Sequence, residues 1–326
     1  MKTYLDKNVY EAALERIAYC FQEFDNVLVA FSGGKDSGVL LNLCYNYADE
    51  HGLLDKLTMY HLDYEAQYQM TTEYVTRTFL EQFPGIRKMW YCVPIKAQSA
   101  CALGEPYWTP WDAAKKKLWV RAMPENPYVV HEGNLDVPFR HGMVDYEFQD
   151  KLSRHFAKKR GTTAVMVGLR ADESLNRYAA VARGKKRRSY EGRKWITQTS
   201  AVTANVYPLY DWRVSDIWTA TARFGFDYNR LYDLLYQAGL TAGQMRVASP
   251  FNDCAQESLK LYKVIDPSNW ARMIGRVNGV NFTGLYGGTT AMGWKTIKLP
   301  PGHTWKSYYE FLLSTMDART AAHYNN

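Results

Sequence analysis

The sequence predicts an α/β fold in which a doubly wound, mostly parallel sheet carries helices on both faces. Two observations support this prediction. Short apolar runs rich in β-branched residues alternate along the chain with amphipathic stretches of helical spacing, and the first such run, residues 27–31, opens into a helical stretch through a glycine turn. Ligands bind such sheets at the carboxyl ends of the strands, so we expect functional residues to follow strands.

The predicted elements keep this alternation over most of the chain. Strands are predicted at residues 27–31, 56–63, 87–93, 163–169 and 202–207. Helices are predicted at residues 4–24, from the glycine turn to about 46, at 71–83, at 145–160 and, with Ser215 as N-cap, up to 224.

Two segments depart from the alternation. Residues 94–144 contain several prolines and three tryptophans, and the tryptophans predict an ordered insertion that forms either a lid, a partner surface or a local core. Residues 241–326 predict a mainly helical C-terminal region, with helices at 252–264 and 268–277 and an irregular stretch at 278–301. We therefore expect one domain at 1–240 and a C-terminal region at 241–326.

Composition narrows the class of protein. The chain has 326 residues, is 47% hydrophobic and has a net charge of +7, which indicates a large core and an anionic ligand or partner. Its five cysteines are scattered without a paired motif, as is typical of reduced thiols in a cytoplasmic protein. The sequence has no apolar run of membrane-spanning length, so we expect no membrane partner.

The glycine turn itself predicts a phosphate cradle. Gly33 and Gly34 allow backbone conformations in which successive N–H groups converge on an oxyanion, and the helix start beyond them adds unpaired N–H groups. Lys35 adds a positive charge, while Ser32 and Ser37 add hydroxyl groups. The turn lacks the four-residue spacer of a Walker A loop, so a different class of phosphate loop is indicated.

These residues carry a family resemblance. Ser-Gly-Gly-Lys-Asp-Ser at residues 32–37, after a buried strand, resembles the PP-loop of the adenine-nucleotide alpha-hydrolase-like superfamily. That superfamily includes ATP pyrophosphatases, which adenylate a substrate, and phosphoadenosine-phosphosulfate (PAPS) reductases. The resemblance implies a Rossmann-like fold and an adenine nucleotide, ATP or a PAPS-type sulfonucleotide, bound at residues 32–37. It also implies Mg²⁺ held by phosphate oxygens with help from Asp36.

Asp63 follows the second predicted strand, at the same edge of the sheet as the PP-loop. In proteins that resemble this one the acidic residue at this point lies near the adenosine, and we assign Asp63 there. The alternative is that Asp63 caps the helix at 71–83. His61, within the strand, is interpreted as a core residue.

A second motif follows the strand at 163–169. The run at 168–177 is similar to the Gly-x-Arg-x-x-Glu-Ser-x-x-Arg stretch of PAPS reductase relatives. Arg170 and Arg177 would grip phosphate through their guanidinium groups, and Glu173, on a helix, would orient both. The alternative is an ion-pair ladder on the surface.

A dense cationic tract spans residues 183–194 and includes Arg193 and Lys194. Its composition indicates a mobile loop that closes over a polyphosphate, touches a nucleic-acid backbone or serves as a solvated linker, and the sequence leaves these three alternatives open. The lysines at 115–117 leave two alternatives open: contact with phosphates or a solvated helix face.

The C-terminal third decides against PAPS reduction. The stretches at 208–218 and 226–233 resemble the distal core of PAPS reductase-like proteins, yet the chain lacks their Glu-Cys-Gly-x-His nucleophile and the paired cysteines of an iron–sulfur cluster. We therefore expect no iron–sulfur cluster. If the protein is an enzyme, we expect ATP-dependent adenylation with release of pyrophosphate, catalysed mainly by positioning and by charge neutralisation by Lys35, Arg170 and Arg177. Asp36 would contribute to catalysis by helping to hold Mg²⁺.

A finer resemblance covers nearly the whole chain. Residues 119–124, 244–251, 293–295 and 300–305 resemble the subgroup represented by the immunoglobulin-binding regulator IbrA, whose members are phage- and plasmid-associated coactivators. Those proteins are encoded with a ParB/sulfiredoxin-like partner. The resemblance implies an alternative function, a non-catalytic transcriptional coactivator that senses a nucleotide.

Overall fold

The computed structural model describes residues 6–102, 104–182, 189–287, 289–292 and 298–325. The chain forms two compact units, Met1–Gly287 and Gly288–Asn326. Within the first unit, the predicted α/β architecture is confirmed: an eight-stranded sheet carries most of the helices.

The strands run from β1 near the N-terminus to β10. They are β1 (Asn26–Ala30), β2 (Leu57–Leu62), β3 (Arg87–Cys92), β4 (Ala97–Gln98), β5 (Tyr107–Trp108), β6 (Val129–His131), β7 (Thr163–Val167), β8 (Ser189–Tyr190), β9 (Arg193–Gln198) and β10 (Thr203–Val206). In space the large sheet has the order β6-β3-β2-β1-β7-β10-β9-β8, while β4 and β5 form a separate antiparallel pair. The pairings from β6 to β10 are parallel, and β8 and β9 add an antiparallel edge.

The helices of the first unit are α1 (Val9–Glu23), α2 (Lys35–Glu50), α3 (Gln69–Glu81), α4 (Asp145–Arg160), α5 (Leu175–Ala182), α6 (Val214–Phe224), α7 (Leu231–Gln237), α8 (Gln256–Leu259), α9 (Tyr262–Ile265), α10 (Pro267–Arg276) and α11 (Val280–Tyr286). The second unit contains α12 (Trp305–Ser314) and α13 (Ala318–Asn325). Among the described residues, no helix is long and apolar enough to cross a membrane.

The five predicted strands and the main predicted helices are present, with ends shifted by a few residues. Three details of the prediction are wrong. Helix α6 starts at Val214, where the Asp216 carboxylate accepts the Arg213 N–H at 2.7 Å, so Ser215 is not the N-cap. The helix predicted at 252–264 is broken into short pieces, and the stretch from residue 278 contains α11.

The tryptophans of the insertion at 94–144 are ordered, as expected. Trp111 packs into the core between the sheet and its helices, and Trp108 packs into a second apolar cluster with residues of the C-terminal region such as Phe251. The insertion is therefore shared between two cores. It also adds β6 to the edge of the sheet, which its weak periodicity had hidden.

Candidate functional site

The PP-loop connects β1 to α2 in a tight turn. Gly33 has φ +76°, and a Cβ at this position would lie 2.9 Å from Val75 Cγ2, so both the conformation and the space favour glycine. The Ser32 and Ser37 hydroxyls lie 3.0 Å apart, and the Ser37 hydroxyl donates to the Gly34 carbonyl at 3.0 Å. These hydrogen bonds fix the conformation of the loop at the start of α2.

The start of α2 presents backbone donors. The first N–H groups of a helix have no partner within the helix. The Lys35 N–H donates to the Tyr232 hydroxyl at 3.2 Å, whereas no described group accepts from the N–H of Gly33, Asp36 or Ser37. These three N–H groups, with the positive end of the helix dipole, suit an anion.

Three charged side chains meet beside these donors. The Asp36 carboxylate contacts Lys35 Nζ at 3.0 Å through one oxygen and Arg170 Nε through the other. Lys35 and Arg170 are almost fully buried. Burial alone would raise the pKa of the Asp36 carboxyl, but Lys35 and Arg170 hold it below its ordinary value, so the group stays ionised.

Gly168, directly after β7, allows this convergence. A Cβ on Gly168 would lie 2.9 Å from the Ser37 nitrogen and 3.0 Å from the Asp36 carbonyl carbon. Both contacts are to backbone, which cannot move without displacing the start of α2. The glycine therefore lets the chain after β7 pass close to the PP-loop and bring Arg170 to Asp36.

Glu173 belongs to a neighbouring cluster. Its carboxylate contacts Arg177 Nη1 at 2.9 Å and Arg246 Nη1, while Arg170 contacts Asp36 and Asp172 instead. The prediction that Glu173 orients both Arg170 and Arg177 is thus wrong for Arg170. The physical reason is that α5 begins only at residue 175, so residues 170–174 form a turn and not the predicted helix.

Two contributors to the site were missed by sequence reasoning. Tyr232 binds the Lys35 N–H through its hydroxyl, and the Lys35 ammonium lies 5.3 Å from the centroid of its ring. Arg246, from the C-terminal region, pairs with Glu173. Both lie within stretches singled out for their resemblance to relatives, but a single sequence carries no signal for these contacts.

Asp63 lies in a buried network next to the site. Its carboxylate accepts from Trp90 Nε1 at 2.7 Å, from Arg121 Nη2 at 2.5 and 2.6 Å and from the Glu65 N–H at 2.8 Å. Burial would raise the pKa of Asp63, but the Arg121 guanidinium and the Glu65 N–H hold it below its ordinary value. The proposed role as a helix cap is wrong, because the N-cap of α3 is Tyr68.

The contact between Asp63 and adenosine stays a prediction. Both carboxylate oxygens are used by protein donors and the side chain is fully buried. His61 is a core residue, as expected: it is fully buried and its Nδ1 lies 2.8 Å from the Phe31 carbonyl oxygen.

Glu65 continues this network toward the C-terminal region. Its carboxylate contacts Arg276 Nε at 2.8 Å and accepts the N–H groups of Trp111 at 2.6 Å and Val120 at 3.0 Å. Arg276 lies at the end of α10 and is buried. A single carboxylate therefore joins the sheet edge, the insertion and the C-terminal region.

The cationic tract is only partly described. Residues 183–188 lie outside the described residues, as do residues 293–295 of the finer resemblance. Arg193 and Lys194 begin β9, which pairs with β8 and β10, so the prediction of a mobile loop is wrong for these two residues. Residues 115–117 lie exposed in a short 3₁₀ segment.

No metal site is evident in the part of the chain that the structure describes. It contains no group of three or more His, Cys, Asp or Glu side chains placed to hold a metal ion. All five cysteines are free thiols, and four of them are buried. Both oxygens of Asp36 contact cations, so its assistance to Mg²⁺ stays a prediction.

The sheet and the turn at residues 32–37 define an α/β protein of the PP-loop type. The sequence comparisons are more specific. The model of the phosphoadenosine phosphosulfate reductase domain matches residues 26–238, and the chain belongs to this family. Residues 239–326 match a separate domain of unknown function, DUF3440.

One relative aligns over nearly the whole chain. The uncharacterized protein YbdN of Escherichia coli K12 is 35% identical over 327 aligned residues, which cover 99% of this chain and 79% of YbdN. The IbrA-type subgroup therefore stays a prediction, since this relative carries a different name.

Solved structures give weaker similarities. A PAPS reductase from Candida auris, in a phosphate complex, is 15% identical with a TM-score of 0.39, covering 72% of this chain and 93% of the reductase. A Candida glabrata FMN adenylyltransferase, in complex with FMN and an ATP analogue, is 13% identical with a TM-score of 0.38, covering 71% of this chain and 63% of that enzyme. The family assignment comes from the sequence matches.

Proposed function

We propose that this protein binds an adenine nucleotide, ATP or a PAPS-type sulfonucleotide, with its phosphates against the PP-loop. The observation that carries the proposal is the meeting of Lys35, Asp36 and Arg170 at the start of α2, where backbone donors also converge. The matched family, named for PAPS reductase, supports an adenine nucleotide as the ligand.

The charges at the site favour a phosphate. Lys35 and Arg170 are buried cations that share Asp36, and the second partner of Arg170 is Asp172, whose side chain is 41% exposed. An entering phosphate would replace Asp172 as the partner of Arg170 through charge-assisted bonds. Asp172 can then turn to solvent without leaving a buried charge unpaired.

With ATP as the substrate, we propose adenylation of an acceptor. An acceptor oxygen forms a bond to the α-phosphorus, and the bond from that phosphorus to the bridging oxygen breaks. Pyrophosphate leaves with the electron pair. A hydroxyl acceptor passes its proton to water, whereas a carboxylate acceptor attacks as the anion and has no proton to lose. Lys35 and Arg170 would stabilise the charge that develops on the phosphate oxygens, while the fixed N–H groups of the loop hold them in place.

Mg²⁺ would act mainly through the phosphate oxygens. Asp36 is ionised and so has the right chemistry for Mg²⁺, but it would have to release Lys35 or Arg170 to bind the ion. We therefore assign Asp36 first to holding the two cations and only second to the metal.

A second candidate is a nucleotide-sensing coactivator of the IbrA type. It is favoured by contacts that join the site to later parts of the chain: Tyr232 contacts Lys35 of the PP-loop, and Arg246 contacts Glu173 in the neighbouring turn after β7. A ligand that rearranged these contacts would change the surface of the C-terminal region. A ParB/sulfiredoxin-like protein, or nucleic acid bound through residues 183–194, would be the partner in this case.

Pyrophosphate release separates the two candidates. The chain is incubated with Mg-ATP and with acceptors bearing carboxylate or hydroxyl groups, and nucleotide binding is measured by calorimetry. Release that the Lys35→Ala variant lacks supports the enzyme. Tight binding of ATP without release in any mixture supports the sensor, and failure of both ATP and PAPS to bind contradicts both candidates.

A further inference from the structure

A cavity of about 270 Å³ lies between β3 and α4, away from the PP-loop. Arg87, its outermost residue on β3, begins that strand, and Arg160 ends α4 shortly before β7. Because β1, β3 and β7 are parallel, these residues mark the amino edge of the sheet, whereas the PP-loop lies at the carboxyl edge. The strands, at about 3.3 Å per residue, separate the two sites by roughly 16 Å.

The charged residues that line the cavity are three cations, Arg87, Lys159 and Arg160, and one carboxylate, Asp136. Neither Arg87 nor Arg160 forms an ion pair with a carboxylate among the described residues. Burial, together with the neighbouring charge of Arg87, lowers the pKa of Arg160. Lys159 is paired with Asp136 at 2.7 Å. Because Asp136 pairs with Lys159, the two guanidinium groups are left without a paired carboxylate among the described residues and are suited to bind a doubly charged anion.

A further polar atom faces the same space. His155 lines the cavity, and its Nε2 is buried without a hydrogen-bond partner in the described parts of the chain; the nearest carboxylate, Asp136, lies at 3.5 Å. Buried polar atoms are rarely left without a partner. A ligand oxygen in the cavity would give this nitrogen one.

The walls of the cavity are apolar. Met89 and Tyr91 lie on the face of β3 that Arg87 shares, while Leu152 and Phe156 lie on one face of α4. Pockets for drug-sized ligands measure roughly 300–1,000 Å³. This cavity is smaller and suits one ring or branched chain that carries a phosphate.

From these observations we propose that the cavity binds a small organic phosphate, an aryl or alkyl monophosphate, with its phosphate on Arg87 and Arg160 and its apolar body against Phe156. The site is separate from the proposed nucleotide site. Nothing in the adenylation proposal depends on it.

Phenyl phosphate is a suitable probe for the complete chain. Its binding is measured by calorimetry, in parallel with inorganic phosphate, which tests charge alone, and phenol, which tests the apolar walls alone. We expect phenyl phosphate to bind at least about tenfold more tightly than either. Equal binding of inorganic phosphate and phenyl phosphate would overturn the proposal.

Variants locate the bound probe. The R87A/R160A double variant is expected to lose at least about tenfold in affinity for phenyl phosphate. Arg154→Ala is the matched control, because Arg154 lies on the same helix, is exposed and pairs with Asp150 outside the cavity. Lys35→Ala should bind the probe normally, and loss of binding in this variant would place the probe at the PP-loop and contradict the proposal.

A competition experiment gives an answer that does not depend on the double variant folding. Phenyl phosphate bound to the unmodified chain is titrated with Mg-ATP. The proposal expects both to bind together, so ATP should leave the probe in place. Complete displacement by ATP would overturn the proposal while leaving nucleotide binding at the PP-loop intact.

Discussion

Two groups of buried ion pairs lie at the carboxyl edge of the same sheet, and they differ in what surrounds them. At the ends of β1 and β7, Asp36 holds Lys35 and Arg170 beside backbone donors that the protein does not use. At the end of β2, Glu65 holds Arg276, and protein N–H groups take up the remaining capacity of its carboxylate. We call Lys35, Asp36 and Arg170 the open group, because unused backbone donors lie beside them. We call Glu65 and Arg276 the closed group, because protein donors fill the carboxylate.

The difference shows that a buried carboxylate and its arginine do not by themselves mark a binding site. What separates the two groups is whether the protein supplies every hydrogen bond the charges can make. Near the PP-loop, Asp172 and Arg177 remain partly exposed, so solvent or a ligand completes the site. Around Glu65, the insertion and the C-terminal region supply the hydrogen bonds of the carboxylate. The ion pair between Glu65 and Arg276 is therefore structural.

The largest expected effect comes from breaking the closed group. Arg276→Ala leaves the Glu65 carboxylate buried without its cation, and we expect a loss of about 3–5 kcal/mol in the free energy of unfolding. Urea denaturation measures the loss. Arg272→Ala, on the same helix but exposed, is the control and should change stability by less than about 0.5 kcal/mol. Equal losses for the two substitutions would show that the buried pair of Arg276 with Glu65 contributes no more to stability than an exposed arginine does.

Breaking the open group should instead affect ligand binding. We expect Lys35→Ala and Arg170→Ala each to weaken the affinity for ATP by about 1–3 kcal/mol, the range for charge-assisted hydrogen bonds. Calorimetry of each folded variant measures the change. Lys260→Ala, an exposed lysine of the first unit, is the control. Unchanged affinity in both site variants would contradict the assignment of the PP-loop as the nucleotide site.

The close approach that builds the open group can be tested separately. Gly168→Ala places a methyl group within 3.0 Å of the α2 backbone, so the start of the helix has to shift. We expect a loss of about 1–3 kcal/mol in stability, with weaker ATP binding in the folded fraction. Gly275→Ala, in α10, has open space for the methyl group and should be neutral or slightly stabilising.

A contact or element can be predicted from the sequence when it depends on neighbouring residues, and not when it depends on residues far apart in the chain. The PP-loop and the positions of Lys35 and Arg170 were accessible, because a strand, a glycine turn and a helix start are local patterns. The partners of Glu65 were not accessible: Arg276 is 211 positions away in the sequence, and only the folded chain brings the two together. The sequence pattern predicts contacts of Glu173 with both Arg170 and Arg177, and only the contact with Arg177 is present, because residues 170–174 form a turn and not a helix.

The same limit applies to whole elements. Strand β6 adds to the sheet through residues with no strong alternation, and β8 with β9 arises from a segment whose charge indicated a loop. In both cases tertiary pairing overrides local preference. The insertion's tryptophans did indicate order, since large aromatic side chains are rarely left exposed in numbers.

The buried core residue His61, on β2, carries a group that can titrate when the chain unfolds. Burial lowers the pKa of His61, so the imidazole stays neutral in the folded chain, whereas in the unfolded chain it gains a proton below about pH 6.5. The contribution of His61 to the free energy of unfolding should therefore be fully present above about pH 7. It should fall as the pH decreases, by at most about 1.4 kcal/mol per pH unit. Urea denaturation between about pH 5 and pH 8 measures the slope.

His61→Asn tests the origin of that slope, because the amide can still donate to the Phe31 carbonyl but does not titrate. We expect a flatter profile in this variant, whereas His51→Asn, at the exposed end of α2, should keep the slope of the unmodified chain. If both variants keep the slope, another group causes it and His61 is no part of the pH response.

The smallest expected effect concerns Arg177, at the open edge of the site. Its pair with Glu173 joins residues four apart and its side chain is 39% exposed, so the pair contributes no more than about 0.5 kcal/mol to stability. If Arg177 also grips phosphate, Arg177→Ala should weaken ATP binding by about 1 kcal/mol while stability barely changes. A small loss of stability with unchanged affinity would identify the pair as a surface ion-pair ladder and confine the open group to Lys35, Asp36 and Arg170.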